Sequence, residues 1–251
     1  IPVRTEEGRK IRKAFIPRQV GWRLASFDYS QIELRILAHL SQDKTLRQAF
    51  QAGQDIHRMT ASLIYGVDEE KVNERMRETA KTVNFGILYG MSPFGLSRDL
   101  GIDPAEARRF IEAYFERYPG VKTYIEEQIA AARENGYVST LFHRRRYLPE
   151  LKSKNVTERQ FGERIAINAP IQGTASDLIK IAMIRIHQEL RQRNAEAQMV
   201  IQVHDELVFD MPEAEFEKLR PVIVAKMECA ATLLVPIQVT VKSGKNWMGM
   251  A

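Results

Sequence analysis

Residues 199–209 read MVIQVHDELVF. Apolar and polar residues alternate on both sides of His204, Asp205 and Glu206, the pattern of two half-buried strands meeting at a tight turn. That period commits the segment to a sheet. Turns favour Asp because its side chain can bond nearby backbone, and tips are solvated. An imidazole beside two carboxylates also suits a metal site, and this stretch alone does not decide between the two readings.

The 251 residues are 44% hydrophobic, enough to bury a sizeable core as one large domain or two interleaved ones. No apolar run nears the ~20 residues that span a bilayer, and the basic, proline-containing start lacks the apolar core of a secretory signal. A soluble globular protein is expected. The lone Cys229 excludes an intramolecular disulfide and a cysteine-based zinc site, which points to a reducing interior. A net charge of +5 and a pI near 9.3 permit a polyanionic partner without requiring one.

Changes of pattern mark the elements, since no linker, repeat or low-complexity tract does. Residues 22–27 predict a strand, 31–41 and 44–52 helices, and from there to about 135 nearly all is helical. Residues 137–149 predict a hairpin with the basic tip His143, Arg144, Arg145 and Arg146. A helix from 157 is expected to stop near Asn168, where Pro170 forces a break. The helix after it carries one apolar stripe: Ala175, Leu178, Ile179, Ala182, Met183, Ile186 and Leu190. The opening hairpin, a helix over 213–231 and a strand PIQVTVK (236–242) complete the chain. Strands at both ends thus enclose a helical insertion.

Asp28 stands where the first strand gives way to helix, in LASFDYSQIELRILAHLS, a position from which a carboxylate projects into a crevice at a sheet edge. Asp28 or Ser30 could equally cap the helix, and Ser30 to Glu33 fits a capping box. Paired with Asp205, Asp28 becomes half of an oxygen-ligand site of the kind that holds Mg²⁺ with substrate phosphates. A third pattern lies in RETAKTVNFGILYG. Arg77, Lys81, Phe85 and Tyr89 recur every four residues, so on a helix each lies ~40° round and ~6 Å beyond the last. Two cations followed by two aromatics suit a molecule that is phosphate at one end and planar base at the other. A solvated face and a core would also account for them, but Gly86 and Gly90 suggest close approach by another body.

Together DYSQIELRILAHLS, RETAKTVNFGILYG and QVHDE closely resemble the first palm motif, the fingers motif and the third motif of the family A DNA polymerases. The likeness extends from IPVRTEEGRKIRKAF through INAPIQGTASDLIK to the last strand. It implies an α+β fold with an antiparallel-sheet palm over 1–43 and 164–251 and a large helical fingers insertion over 44–163. The thumb and the nuclease domains of such enzymes are not in the 251 residues, so a palm-and-fingers portion is expected. The setting implied is bacterial, cytoplasmic and nucleoid-associated, in DNA replication and repair.

The resemblance implies template-directed addition of dNTP to the 3′-hydroxyl of primer-template DNA. Asp28, Asp205 and the Tyr29 carbonyl would hold two Mg²⁺ ions, with Glu206 tuning them and His204 meeting the primer end. Arg77, Lys81 and His57 would contact the triphosphate, with Lys81 also a proton donor to pyrophosphate. Phe85 would stack on the nucleotide and Tyr89 would border the pocket. Glu33 with Tyr89 would exclude a 2′-hydroxyl, and Gln31 joins the nucleotide-binding set. Arg164, Asn168 and Gln172 would read minor-groove acceptors common to every base pair. The basic tip suits template phosphates or solvent alike. Single-subunit RNA polymerases share parts of the fingers motif, but Glu33 after DYSQ favours deoxynucleotides. Two rivals stand beside this reading: a nucleic-acid-binding portion without catalysis, and a structural helical protein with accidental acidic tips.

Overall fold

The computed structural model describes residues 6–250; residues 1–5 of the expected palm segment lie outside the described residues. In chain order the elements begin with α1 (Glu6–Arg12), β1 (Trp22–Tyr29), α2 (Ile32–Ser41), α3 (Lys44–Gln51), α4 (Ile56–Tyr65), α5 (Glu74–Leu88) and α6 (Pro93–Leu100). They continue with α7 (Pro104–Arg117), α8 (Pro119–Asn135), β2 (Tyr137–Ser139), β3 (Arg145–Tyr147) and α9 (Val156–Gln192). Last come β4 (Gln198–Val203), β5 (Glu206–Pro212), α10 (Glu213–Glu228) and β6 (Val239–Gly244). The chain divides into two compact units. Among the described residues one holds the chain up to 32, 175–232 and the chain from 237; the other holds 33–174 and 233–236.

The first unit is built on an antiparallel sheet of order β4-β5-β1-β6. Its inner strands β1 and β5 are buried along most of their length, while β4 alternates between exposed and half-buried positions. Continuous burial of this kind requires cover on both faces. Phe27 and Phe209 meet edge to face with centroids 5.3 Å apart, and Leu24, Val208, Trp247 and Met250 form a second cluster. The predicted α9 stripe is buried at Leu178, Ile179, Ala182, Ile186 and Leu190. The last strand starts at Val239, three residues later than its sequence suggests, and α10 stops at Glu228 rather than at 231.

The second unit is helical apart from the β2-β3 hairpin. Its helices open on side-chain caps that satisfy free amides: Asp43 for α3, Asp55 for α4, Asn73 for α5, Ser92 for α6 and Asp103 for α7. Ala61, Val72 and Ala80 pack into one cluster, and Ala132, Val138, Leu148, Leu151 and Ala166 into another.

Pro170 does not end a helix: α9 runs unbroken across it. Proline there removes one backbone bond and costs on the order of 3 kcal/mol. Burial of Ala166, Ile167 and Ile171 on either side offsets that loss.

Candidate active site

The hairpin of the first unit turns in two residues, His204 and Asp205, with Val203 paired to Glu206. His204 holds φ at 53°, the left-handed conformation that such tight turns demand and that side chains other than glycine rarely adopt. The Asp205 carbonyl accepts the Tyr29 amide at 3.2 Å, tying the turn to the end of β1. Asp28 is registered directly opposite Glu206 on β5 and opposite Thr240 on β6. Directly opposed residues share one sheet face, and like charges there repel.

Burial is the main reason that the Asp28 carboxyl is pushed up to about 6; Asp205 and Glu206 push the same way and Lys242 opposes them. Burial also raises Asp205, against its backbone hydrogen bond and His204, with Glu206 adding to the rise. Glu206 is held at one oxygen, which accepts from Ser26 Oγ at 2.5 Å and Trp247 Nε1 at 3.4 Å. The Tyr29 ring is buried, and its hydroxyl donates to the Met227 carbonyl at 2.8 Å. Gln31 has φ of 52° and a buried side-chain oxygen without a hydrogen-bond partner. Among the described residues no three His, Cys, Asp or Glu side chains gather as a metal-binding group.

In the second unit, α5 carries the Arg77, Lys81, Phe85 row, and Tyr89 caps its end. Gly90, with φ of 64°, makes the turn after it, where an added Cβ would meet Ile167 and Arg164 at 3.0 and 3.2 Å. Gly86 faces Met91 at ordinary contact distance. Gly90 therefore has a reason within this unit, whereas the surroundings of Gly86 leave room for a Cβ and do not explain the glycine.

Asp55 lies upstream of the row and was not singled out from sequence. It caps α4 by accepting the amides of His57 and Arg58, and its other oxygen accepts Arg77 Nε at 2.8 Å. Burial alone would raise the Asp55 carboxyl, but these bonds outweigh it and hold it low. The same hydrogen bond raises Arg77 and fixes its guanidinium near the row. Lys81 has Glu78 at 3.8 Å.

The His57 ring lies 5.9 Å from the Phe85 ring, which lies 6.0 Å from Tyr89. Tyr89 donates its hydroxyl to Glu33 at 2.9 Å, and Asn168 Nδ2 reaches the Tyr89 carbonyl at 3.5 Å. His57, Arg77, Phe85, Tyr89, Glu33 and Asn168 are thus linked within one unit. Arg164, Asn168 and Gln172 fall four residues apart on α9, one face of the helix. In the basic tip Arg144 donates to the Gly173 carbonyl at 3.0 Å and Arg145 stacks 4.6 Å over Tyr137.

The family model of DNA polymerase family A matches residues 1–249. DNA polymerase I of Bacillus caldotenax is 49% identical over 98% of the chain. The thermostable DNA polymerase I of Thermus filiformis is 49% identical over 99%. The chain spans 28% and 29% of the lengths of these two relatives. A solved structure, the POL domain of Pol1 from M. smegmatis in complex with DNA primer-template and dNTP, superposes with a TM-score of 0.95 at 43% identity. It covers 100% of this chain and 44% of that one.

Proposed function

Because the chain belongs to the family A DNA polymerases, we propose that it adds deoxynucleotides to a primer 3′-hydroxyl under direction of a template, releasing pyrophosphate. In this reading the antiparallel sheet belongs to a palm over 1–43 and 164–251, and the helical insertion over 44–163 is the fingers. The half-buried carboxylates Asp28 and Asp205 carry the proposal. Two carboxylates driven toward protonation by burial and by acidic neighbours are the donor chemistry that a hard divalent cation neutralises, and Mg²⁺ commonly takes one or two carboxylates plus phosphate. Asp28, Asp205 and the Tyr29 carbonyl would hold the two ions. Bound there, they supply Lewis-acid polarisation of phosphate and acidify the primer hydroxyl.

The chain's own residues do the rest. Arg77, Lys81 and His57 bind triphosphate oxygens, Arg77 pre-set by Asp55, and Lys81 gives a proton to leaving pyrophosphate. Phe85 stacks on the incoming base. Tyr89 and Glu33, joined by their hydrogen bond, border the sugar and leave no room for a 2′-hydroxyl, and Gln31 belongs to the same set. Arg164, Asn168 and Gln172 meet minor-groove acceptors, whose near-uniformity lets them check pair geometry without reading sequence. Glu206 tunes the carboxylate pair and His204 meets the primer end.

Primer extension by the full-length protein tests this. Asp28→Ala and Asp205→Ala should each lower nucleotide addition by at least ~10²–10³-fold, the scale of removing one electrostatic group from a reaction centre. Primer-template affinity should persist, because phosphate contacts supply most of it. Near-normal turnover by either variant overturns the assignment.

A further inference from the structure

Four buried side chains of the helical unit form a polar chain, of which the roles above use only His57. Tyr118 and Thr60 are hydrogen-bonded through their side chains. Thr60 Oγ1 donates to Asn84 Oδ1 at 3.1 Å, and Asn84 Nδ2 lies 2.9 Å from His57 Nδ1. Thr60, Asn84 and Tyr118 are 0% exposed and His57 3%, so an atom left unpaired anywhere along the chain is costly.

With the Tyr118 hydroxyl donating to Thr60, one assignment of protons satisfies every partner in the chain. The Thr60 proton goes to the Asn84 carbonyl, which leaves the Asn84 amide nitrogen facing the imidazole. An amide NH₂ only donates. His57 Nδ1 must therefore accept with its lone pair, and the single proton of the neutral ring sits on Nε2.

We propose that Thr60 and Asn84 are positioning residues that lock His57 as a neutral hydrogen-bond donor, with its proton on Nε2 and aimed for a phosphate oxygen of the nucleotide. This rests on the triphosphate role given to His57 above. Without the amide partner a neutral imidazole divides its proton between both nitrogens, and the wrong tautomer turns a lone pair toward the phosphate. Burial lowers His57 to about 4, with Arg77 and Lys81 acting in the same direction and Asp55 and Glu78 against it. The locked donor thus stays neutral throughout the neutral pH range, while the neighbouring cations Arg77 and Lys81 bring the charge.

The test uses the full-length protein. ¹⁵N chemical shifts of His57 without nucleotide should report Nε2–H between about pH 6 and 9. An Nδ1–H tautomer, or a mixture, overturns the lock whether or not His57 touches nucleotide. Asn84→Asp keeps the size and offers Nδ1 an acceptor. At high pH the new carboxylate holds the proton on Nδ1 and leaves Nε2 bare; as pH falls, Nε2 is protonated as well. The KM for dNTP should therefore rise about tenfold or more at pH 8, the size of a lost bond to a charged group, and recover toward pH 6. A loss independent of pH gives Asn84 a packing role and overturns the proposal. Thr60→Val removes the donor at constant shape and should raise KM several-fold with kcat within about twofold; an unchanged KM and tautomer remove Thr60 from the lock. If His57→Ala leaves KM unmoved although the parent shows Nε2–H, the phosphate role itself fails and the proposal falls through that premise, with the tautomer lock standing as structure only.

Discussion

Asp28 on β1 pairs directly with Glu206 on β5, so two carboxylates share a sheet face while a third, Asp205, occupies the adjoining turn. With its folded pKa raised to about 6, Asp28 binds its proton more tightly folded than unfolded. Stability is therefore lost as pH rises from about 4 to about 6 and stays reduced above that.

Asp28→Asn should then raise the melting temperature at pH 7.5 by roughly 2–4 °C and change it little at pH 4. Millimolar Mg²⁺ should stabilise the parent at pH 7.5 and have less effect on the variant, because a ligand bound only by the folded state stabilises it. Thermal unfolding at both pH values, with and without Mg²⁺, checks this. A parent indifferent to Mg²⁺ speaks against Asp28 as a metal ligand.

Lys81 is about half exposed, with Glu78 as its ion-pair partner at 3.8 Å. Lys81→Ala should lower single-turnover nucleotide addition about a hundredfold, the range of a lost proton donor, with primer-template Kd within about twofold. Stopped-flow incorporation and a DNA-binding titration separate the two quantities. Unchanged kcat and KM for dNTP would remove Lys81 from the reaction.

The Glu33 carboxylate is held by the Tyr89 hydroxyl, which gives it a fixed place. Glu33→Ala should open space under the sugar and raise ribonucleotide incorporation about tenfold or more, the scale on which removing a close contact changes selectivity. The ratio of kcat/KM for rNTP and dNTP on one template measures it; parent-level discrimination in the variant would place the gate elsewhere.

Phe85 lies between the His57 and Tyr89 rings and offers no polar atom to a sugar. A normal dNTP brings its own 3′-hydroxyl, whereas a dideoxynucleotide leaves that bond unmade, a loss of about 1–3 kcal/mol when a partner is stranded. Phe85→Tyr should therefore admit ddNTP far better with little change for dNTP. Competition of the two substrates in parent and variant reads the effect. Equal selectivity would mean that Phe85 does not face the sugar.

Period and spacing were enough to read the hairpin at His204 and Asp205, the first strand and the row on α5, because each is a local signal. That strand nevertheless runs on to Tyr29, so Asp28 lies within it rather than after it, held there by pairing with distant strands. Pro170 misled for a related reason: its cost is local, while the burial of Ala166, Ile167 and Ile171 that offsets it belongs to tertiary packing. Asp55 reads locally as a helix cap, and its second bond, to Arg77, spans 22 residues. Ser26 and Trp247, which hold Glu206, stand 180 and 41 residues from it. Thr60 and Asn84 carry no signal beyond small polar residues in helices, and only folding sets one hydroxyl against one amide.

His204 occupies a backbone conformation that glycine adopts freely and that costs other residues on the order of 1 kcal/mol. Selection for heat resistance alone should accept His204→Gly there, gaining turn stability while deleting the imidazole from the tip. A library screened for survival on heating and one screened for primer extension would therefore diverge at this codon. Their disagreement would measure how much the ring at the turn matters, independently of any assumption about what it touches.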